Sequence, residues 1–317
     1  MGLSAVRLVF LGTPDFAVPT LERIVEAGHD VAAVFTQPDR PKGRGRHVAA
    51  PPVKEAALAR GLPVHQPERI RTPETIDLLR GFHPDAMVVV GYGKIIPQAI
   101  IDIPAHGIIN VHASLLPKYR GAAPVQWAVA NGETRTGVTT MRIDAGLDTG
   151  DILLQRETPI APEETALELG PRLAAMGAEL LLETLDGLRK GSIAPRKQDS
   201  AAASFAPILK KEDGRIDWTW TAKVIQDRVR GLLPWPGCHT QLRGKALHIL
   251  KARAVESGGG PPGSIHPLHG RFVVTAGGGT ALELFEVQFE GRNRMSAAAF
   301  LNGLHLVENE LLGDMSK

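Results

Sequence analysis

VRLVFLGTPDFAVPTLERIVEAGHDVAAVFT, residues 6–36, decides the fold. It opens on VRLVFL, a continuous apolar run of the kind carried by a strand buried on both faces. LERIVEAG follows, with Leu21, Ile24 and Val25 on one helical face and Gly28 as a stop. A second apolar run, VAAVFT (31–36), completes a strand–helix–strand unit. Working outward, VKEAALARG (53–61) and PETIDLLRG (73–81) are predicted helices. AMVVV (86–90), GIINV (107–111) and GVTTMRI (137–143) are predicted strands, GVTTMRI being the last. The class this implies is α/β, a doubly wound and mostly parallel sheet, and such sheets bind ligands at the carboxyl ends of their strands. A long helical pattern from Glu163 to Lys190, with a break expected at Gly170–Pro171, closes a first domain of residues 1–190.

Residues 191–208 have the small, polar, Pro-punctuated composition of a linker. Beyond them TAKVIQDRVRGL (221–232) reads as a helix. CHTQL, ALHIL, RFVVT and ALELFEVQF read as short strands, giving a smaller OB-like β-barrel over 209–317. Gly258–Gly260 and Gly277–Gly279 are expected to be hairpin turns.

Composition excludes several classes. Apolar residues are 43% and charged residues 22% of the 317, so the chain can bury a core. A single cysteine, Cys238, excludes a disulfide framework and any thiolate metal cluster, and suits a reducing, cytoplasmic setting. No apolar run approaches the length that spans a bilayer, and VRLVFL is too short for a signal core, so no membrane association is expected. The net charge of +2 hides an asymmetry: residues 190–256 hold thirteen basic against six acidic residues. Such an excess is the footprint of a polyanion-facing surface, although an ordinary solvated face has the same composition. A second basic cluster, Arg40, Lys42, Arg44 and Arg46, lies in PDRPKGRGRHV, where Pro and Gly predict a mobile loop without regular structure.

The first strand ends in GTPDFAVP, which lacks the G-x-G-x-x-G fingerprint of a dinucleotide site. His266 and His269 have no third ligand nearby, so no metal is expected. The chemistry concentrates in INVHASLLPKYRGAAPVQWA (109–128). Residues two apart on a strand share a face, so Asn110 and His112 project together near the strand's carboxyl end. A polar pair capping a strand would look the same. GVTTMRI, however, runs into DAGLDTGD, whose Asp144, Asp148 and Asp151 could bring a carboxylate to the top of the sheet. Carboxylate, imidazole and carboxamide together form an acid/base set with an oxyanion donor.

These two stretches resemble the folate-dependent formyltransferases, whose shared pattern is Asn-x-His, then SLLP, then an Asp in an L-D-x-G context. Here that Asp is Asp148, 36 residues after His112. FLGTPDFAVP, the basic loop TQPDRPKGRGRHVAAPPVK, KKEDGRIDW and LLPWPG further resemble the family members that act on charged initiator tRNA, and the likeness covers nearly the whole chain. One departure is Ile208, where the family often has Lys after Ala-Pro; Lys210 and Lys211 are then the basic residues left to serve there.

The resemblance implies transfer of a formyl group from 10-formyltetrahydrofolate, a co-substrate rather than a tightly bound cofactor, to the α-amino group of methionyl initiator tRNA. No obligate protein partner is implied. Asn110, His112 and Asp148 would be catalytic: a donor to the oxyanion, a proton shuttle, and a carboxylate that favours the imidazolium and accepts the amine's proton. The folate would be met by Gly91, Tyr92, Gly93, Lys94 and Ile96, with Tyr92 stacking on the pterin, and by Ser114, Leu115, Leu116, Pro117 and Asp144. Lys118 and Arg120 would offer contacts to phosphate or folate glutamate. Arg40, Lys42, Arg44, Arg46, Lys210 and Lys211 would hold tRNA, so that deleting 209–317 should raise the tRNA requirement. The alternatives are a formyltransferase acting on an amino sugar nucleotide and a non-catalytic RNA-binding protein on the same scaffold.

Overall fold

The computed structural model describes residues 5–42, 47–256, 259–306 and 310–313. The chain gathers into two compact units: Met1–Pro124, Arg135–Pro159 and Gly170–Ala206 form one; Val125–Thr134, Ile160–Leu169 and Pro207–Lys317 form the other.

Up to residue 206 the strands are β1 (Arg7–Gly12), β2 (Asp30–Phe35), β3 (Arg40–Lys42), β4 (His47–Ala49), β5 (Val64–His65), β6 (Ala86–Val90), β7 (Ile108–His112), β8 (Arg120–Gly121), β9 (Arg135–Arg142), β10 (Ile152–Pro159) and β11 (Phe205–Ala206). The helices are α1 (Val18–Glu26), α2 (Pro52–Ala59), α3 (Pro73–Gly81), α4 (Gln98–Ile101), α5 (Pro124–Ala130) and α6 (Ala166–Lys190). The first unit is built on a seven-stranded sheet in the order β10-β9-β7-β6-β1-β2-β5. Pairing is parallel from β7 to β5 and antiparallel at β7–β9–β10.

Both faces of the sheet are covered, which is why β6 and most of β1 are apolar at every position. Val9, Leu11, Met87, Val89 and Ile108 pack with Leu79 of α3 and Ile100 of α4 on one face. On the other, Gly177 lets α6 approach Val111 and Val138, where an added Cβ would come within 2.7 Å of Val111 Cγ1. Arg23 of α1 pairs with Glu179 of α6 at 2.6 Å on that side.

Four expectations change. GVTTMRI is not the last strand, since β10 forms the antiparallel edge beyond it. The break at Gly170–Pro171 does not occur: α6 runs 25 residues through Pro171. Thr165 and Glu168 form a reciprocal capping box at its start, and Pro171 removes only the bond to the carbonyl of exposed Leu167. The basic segment is not wholly irregular, because β3 and β4 pair antiparallel, Arg40 opposite Ala49. Arg44 and Arg46 lie outside the described residues, as does the side chain of Lys42; Arg40 is exposed. Finally, only Gly277–Gly279 is a hairpin turn, between adjacent β15 (Arg271–Thr275) and β16 (Thr280–Phe289). Gly258 lies outside the described residues, and Gly259 and Gly260 lie between strands that are not neighbours.

The second unit has α7 (Ala222–Gly231), α8 (Ala297–Asn302) and an antiparallel sheet of β12 (Cys238–Leu242), β13 (Lys245–Glu256), β14 (Ile265–Leu268), β15, β16 and β17 (Met295–Ser296). Its order is β12-β13-β16-β15-β14, with β17 on β16. Leu312 N donates to Gly263 O and Gly313 N to Gln241 O, so residues 311–313 tie the start of β14 to β12. Residues 125–134 and 160–169 pack on α7: Gly132 leaves room for Asp227, and Arg230 bonds both Asp227 and the Glu164 carbonyl. Deleting 209–317 would strip these partners away, so substitutions test the expected tRNA contacts more cleanly than truncation.

Candidate active site

β7 ends the buried parallel strands with two polar residues, and alternation puts Asn110 and His112 on the same face as Met87 and Val89. That shared face is the one the sequence predicts, but the route by which Asp148 arrives is different. Because β9 runs antiparallel to β7, with Arg142 opposite Ile109 and Thr139 opposite His112, it carries the chain away from the carboxyl ends of the parallel strands. The 144–151 loop then folds back. Asp144 Oδ1 accepts from Gly146 N and Thr149 Oγ1, and a Cβ on Gly150 would stand 1.9 Å from Arg142 O, so this close return requires glycine there.

The loop delivers Asp148, at φ 50°, to both β7 side chains. Asn110 Nδ2 lies 3.4 Å from Asp148 Oδ1, and His112 Nδ1 lies 3.7 Å from Asp148 Oδ2. Gly121 N donates to Asp148 Oδ2 at 2.8 Å. Asn110 is 9% and His112 6% exposed, and the Asp148 side chain 18%, so the carboxylate is the most open of the three.

The other edge of His112 is fixed by the SLLP turn. Thr139 Oγ1 donates to Ser114 O at 2.7 Å and accepts from Leu116 N, while Ser114 Oγ donates to Lys118 O. The chain curls through Tyr119, at φ 61°, so that its carbonyl lies 2.9 Å from His112 Nε2. A carbonyl can only accept, so Nε2 carries a proton and Nδ1, facing Asp148, is the nitrogen free to exchange one. Sequence reasoning missed Thr139, the Tyr119 carbonyl and the Gly121 amide, because two of the three act through backbone atoms.

The residues expected at the folate are less uniform. Gly91 and Gly93 are exposed with positive φ, and Leu115 and Pro117 are half-buried. Ile96 and Leu116 are buried, Leu116 against Met141 and Ile152. Ser114 is fully buried, and Asp144 is exposed but engaged in its own loop. Lys94 Nζ donates to the Pro67 and Glu68 carbonyls, and desolvation lowers its pKa from the ordinary lysine value.

Stacking by Tyr92 is corrected, because its ring is 1% exposed inside the sheet's core and is closed to a ligand. Its hydroxyl has no hydrogen-bond partner among the described residues, and burial pushes its pKa up to about 12. Its carbonyl accepts from Thr13 Oγ1 and Gln37 Nε2. Tyr92→Phe removes only an unsatisfied hydroxyl, so thermal unfolding should show stability unchanged or raised, with the KM for the donor unchanged. A severalfold rise in that KM would restore Tyr92 to the site.

Arg120 is also corrected. It is 5% exposed and its fork is turned to Gln198 rather than to solvent. In the second unit Lys210 and Lys211 are exposed, as is Ile208. Among the described residues no group of three or more His, Cys, Asp or Glu could hold a metal ion. No described helix is long and apolar enough to cross a membrane.

A family described as formyl transferase matches residues 6–185, and its C-terminal domain matches residues 208–305. A methionyl-tRNA formyltransferase of Solibacter usitatus (strain Ellin6076) is 63% identical over 98% of this chain and 99% of its own length. One from Koribacter versatilis (strain Ellin345) is 59% identical over the same shares. Among solved structures, the sugar 3N-formyl transferase WlaRD has a TM-score of 0.67 at 19% identity, over 92% of this chain and all of its own. HypX from Aquifex aeolicus, solved with tetrahydrofolic acid, has a TM-score of 0.62 at 20% identity, over 94% of this chain and 47% of its own. At these identities the two structures speak to the fold alone.

Proposed function

Because this chain belongs to the formyl transferase family, we infer that it transfers a formyl group to the α-amino group of methionine carried by initiator tRNA, for the start of translation. It is a one-carbon transferase. The finer assignments rest on the convergence of Asn110, His112 and Asp148, the single observation that carries the reading. The donor is 10-formyltetrahydrofolate, used as a substrate, and the setting is cytoplasmic.

The amine needs little activation, since an α-amino group has a reference pKa of about 7.7–8.0 and is partly neutral at neutral pH. Its nitrogen attacks the formyl carbon, forming a C–N bond and an oxyanion. Asn110 Nδ2 is held only loosely by Asp148, at 3.4 Å, and can turn its N–H to that oxyanion. The ammonium proton passes to the His112 Nδ1 edge, directly or through Asp148, whose charge stabilises the imidazolium. The same nitrogen returns a proton to the folate nitrogen as the old C–N bond breaks, leaving the enzyme unchanged. Backbone groups at Gly91 and Gly93–Ile96 serve the pterin edge, while Leu115, Leu116 and Pro117 shape the pocket.

Arg40, Lys42, Arg44 and Arg46 hold the acceptor end of the tRNA, and Lys210 and Lys211 hold phosphates. Affinity should then fall steeply with salt, and Lys210→Ala with Lys211→Ala should flatten the slope of log K against log salt by about 0.7–0.9 for each phosphate released. An unchanged slope in nitrocellulose binding would remove both residues.

The reading is tested by following labelled formyl from 10-formyltetrahydrofolate to charged initiator tRNA, with an amino sugar nucleotide in parallel. Transfer to the tRNA is expected. Transfer to the sugar alone, or to neither, would overturn it.

A further inference from the structure

The stretch with linker composition is fastened to the site by backbone and side-chain bonds. Ile152 and Arg196 exchange backbone bonds, and Ser204 Oγ accepts from Tyr119 N at 2.9 Å. β11 pairs with β8, Phe205 opposite Arg120. Between these points Gln198 reaches in. Its Nε2 donates to the carbonyls of Asp148 and Gly150, both at 2.8 Å, and its Oε1 accepts from Arg120 Nε at 3.1 Å and Nη2 at 2.7 Å.

One amide thus grips both arms of the site. On one side it holds the backbone of Asp148 itself and of Gly150. On the other it holds Arg120, whose neighbour Gly121 gives its N–H to the Asp148 carboxylate. Asp148 sits in the left-handed region at φ 50°, which a non-glycine residue keeps only where its surroundings over-determine it. The two carbonyl bonds from Gln198 supply that constraint. No other side chain of this length offers the same set: glutamate lacks the donors, methionine lacks both functions, and asparagine is one methylene short.

We propose that Gln198 is a positioning residue that sets the Asp148 carboxylate against Asn110 and His112. This rests on the reading of Asp148 as catalytic. Misplacing a catalytic group by an ångström costs on the order of 10²-fold in rate.

The test uses the full chain in single-turnover formylation, with Gln198→Met, Gln198→Glu, Asp148→Ala and the double variant Gln198→Met/Asp148→Ala. Gln198→Glu keeps a partner for Arg120, so it guards against simple loss of folding. Both Gln198 variants should lose about 10–100-fold in kcat, with KM for donor and tRNA within about twofold and melting temperature little changed. In the double variant, turnover should match Asp148→Ala alone within about twofold, because a residue acting through Asp148 has nothing left to position. Wild-type kcat in both Gln198 variants beside an impaired Asp148→Ala would overturn the proposal alone. So would a multiplicative loss in the double variant, or a fall in kcat matched by lost folding or raised KM. Full activity of Asp148→Ala would overturn the catalytic reading together with it.

Discussion

His112→Ala is expected to lower turnover by more than about 10²-fold while the protein still folds. The ring is held at both edges, Nε2 on the Tyr119 carbonyl and Nδ1 toward Asp148, so no water can take the imidazole's place with the same orientation. Removing it deletes the group that moves the proton from the attacking amine to the departing folate nitrogen. It also takes the imidazole N–H away from the Tyr119 carbonyl, and losing a buried hydrogen bond costs about 1–3 kcal/mol. The melting temperature should therefore fall modestly while the cooperative transition survives. Circular dichroism melting beside single-turnover transfer separates the two effects. Turnover near the wild-type value would remove His112 from the mechanism.

Asp148→Ala is expected to cost as much, by a different route. The carboxylate receives the Gly121 N–H, lies within 3.4 Å of Asn110 Nδ2 and faces His112 Nδ1. Without it the imidazolium loses its countercharge and the Asn110 amide loses its tether to Asp148. Asp148→Asn separates charge from shape, because an amide oxygen can still accept from Gly121. Because the charge is what the imidazolium needs, Asp148→Asn should be nearly as slow as Asp148→Ala, and recovery of most of the rate would contradict the countercharge role. Asn110→Ala, which removes the oxyanion donor and its contact to Asp148, should lose about 10²–10³-fold. Wild-type kcat in either Asp148 variant would contradict the role given to the carboxylate.

Much of this architecture is legible in the sequence because buried parallel strands must be apolar throughout. VRLVFL, AMVVV and the helix after the first strand announce themselves by composition and period alone. β10 does not. Its sequence, ILLQRETP, mixes apolar and charged residues because an edge strand has fewer neighbours to bury it. The direction of β9 is equally silent, because this antiparallel strand is buried on both faces like its parallel neighbours. A motif therefore points to Asp148, while the path of its loop is visible only in the fold.

Arg120 shows a second limit. An arginine in a loop reads as a surface contact, and only the fold reveals that its guanidinium is turned to a glutamine 78 positions later. Gln198 itself sits among Ala, Ser, Lys and Asp residues with no period and no motif, so linker composition conceals a structural strap. Tyr92 fails for the opposite reason. An aromatic beside two glycines looks like a ligand platform, yet at the end of a buried strand it fills the core.

The most direct measurement is a crystal structure with a formyl-folate analogue that cannot transfer. The account predicts the formyl oxygen about 2.7–3.1 Å from Asn110 Nδ2, with its carbon beside the His112 Nδ1 edge and Asp148. A formyl group bound well away from all three, with the pterin ordered, would contradict it.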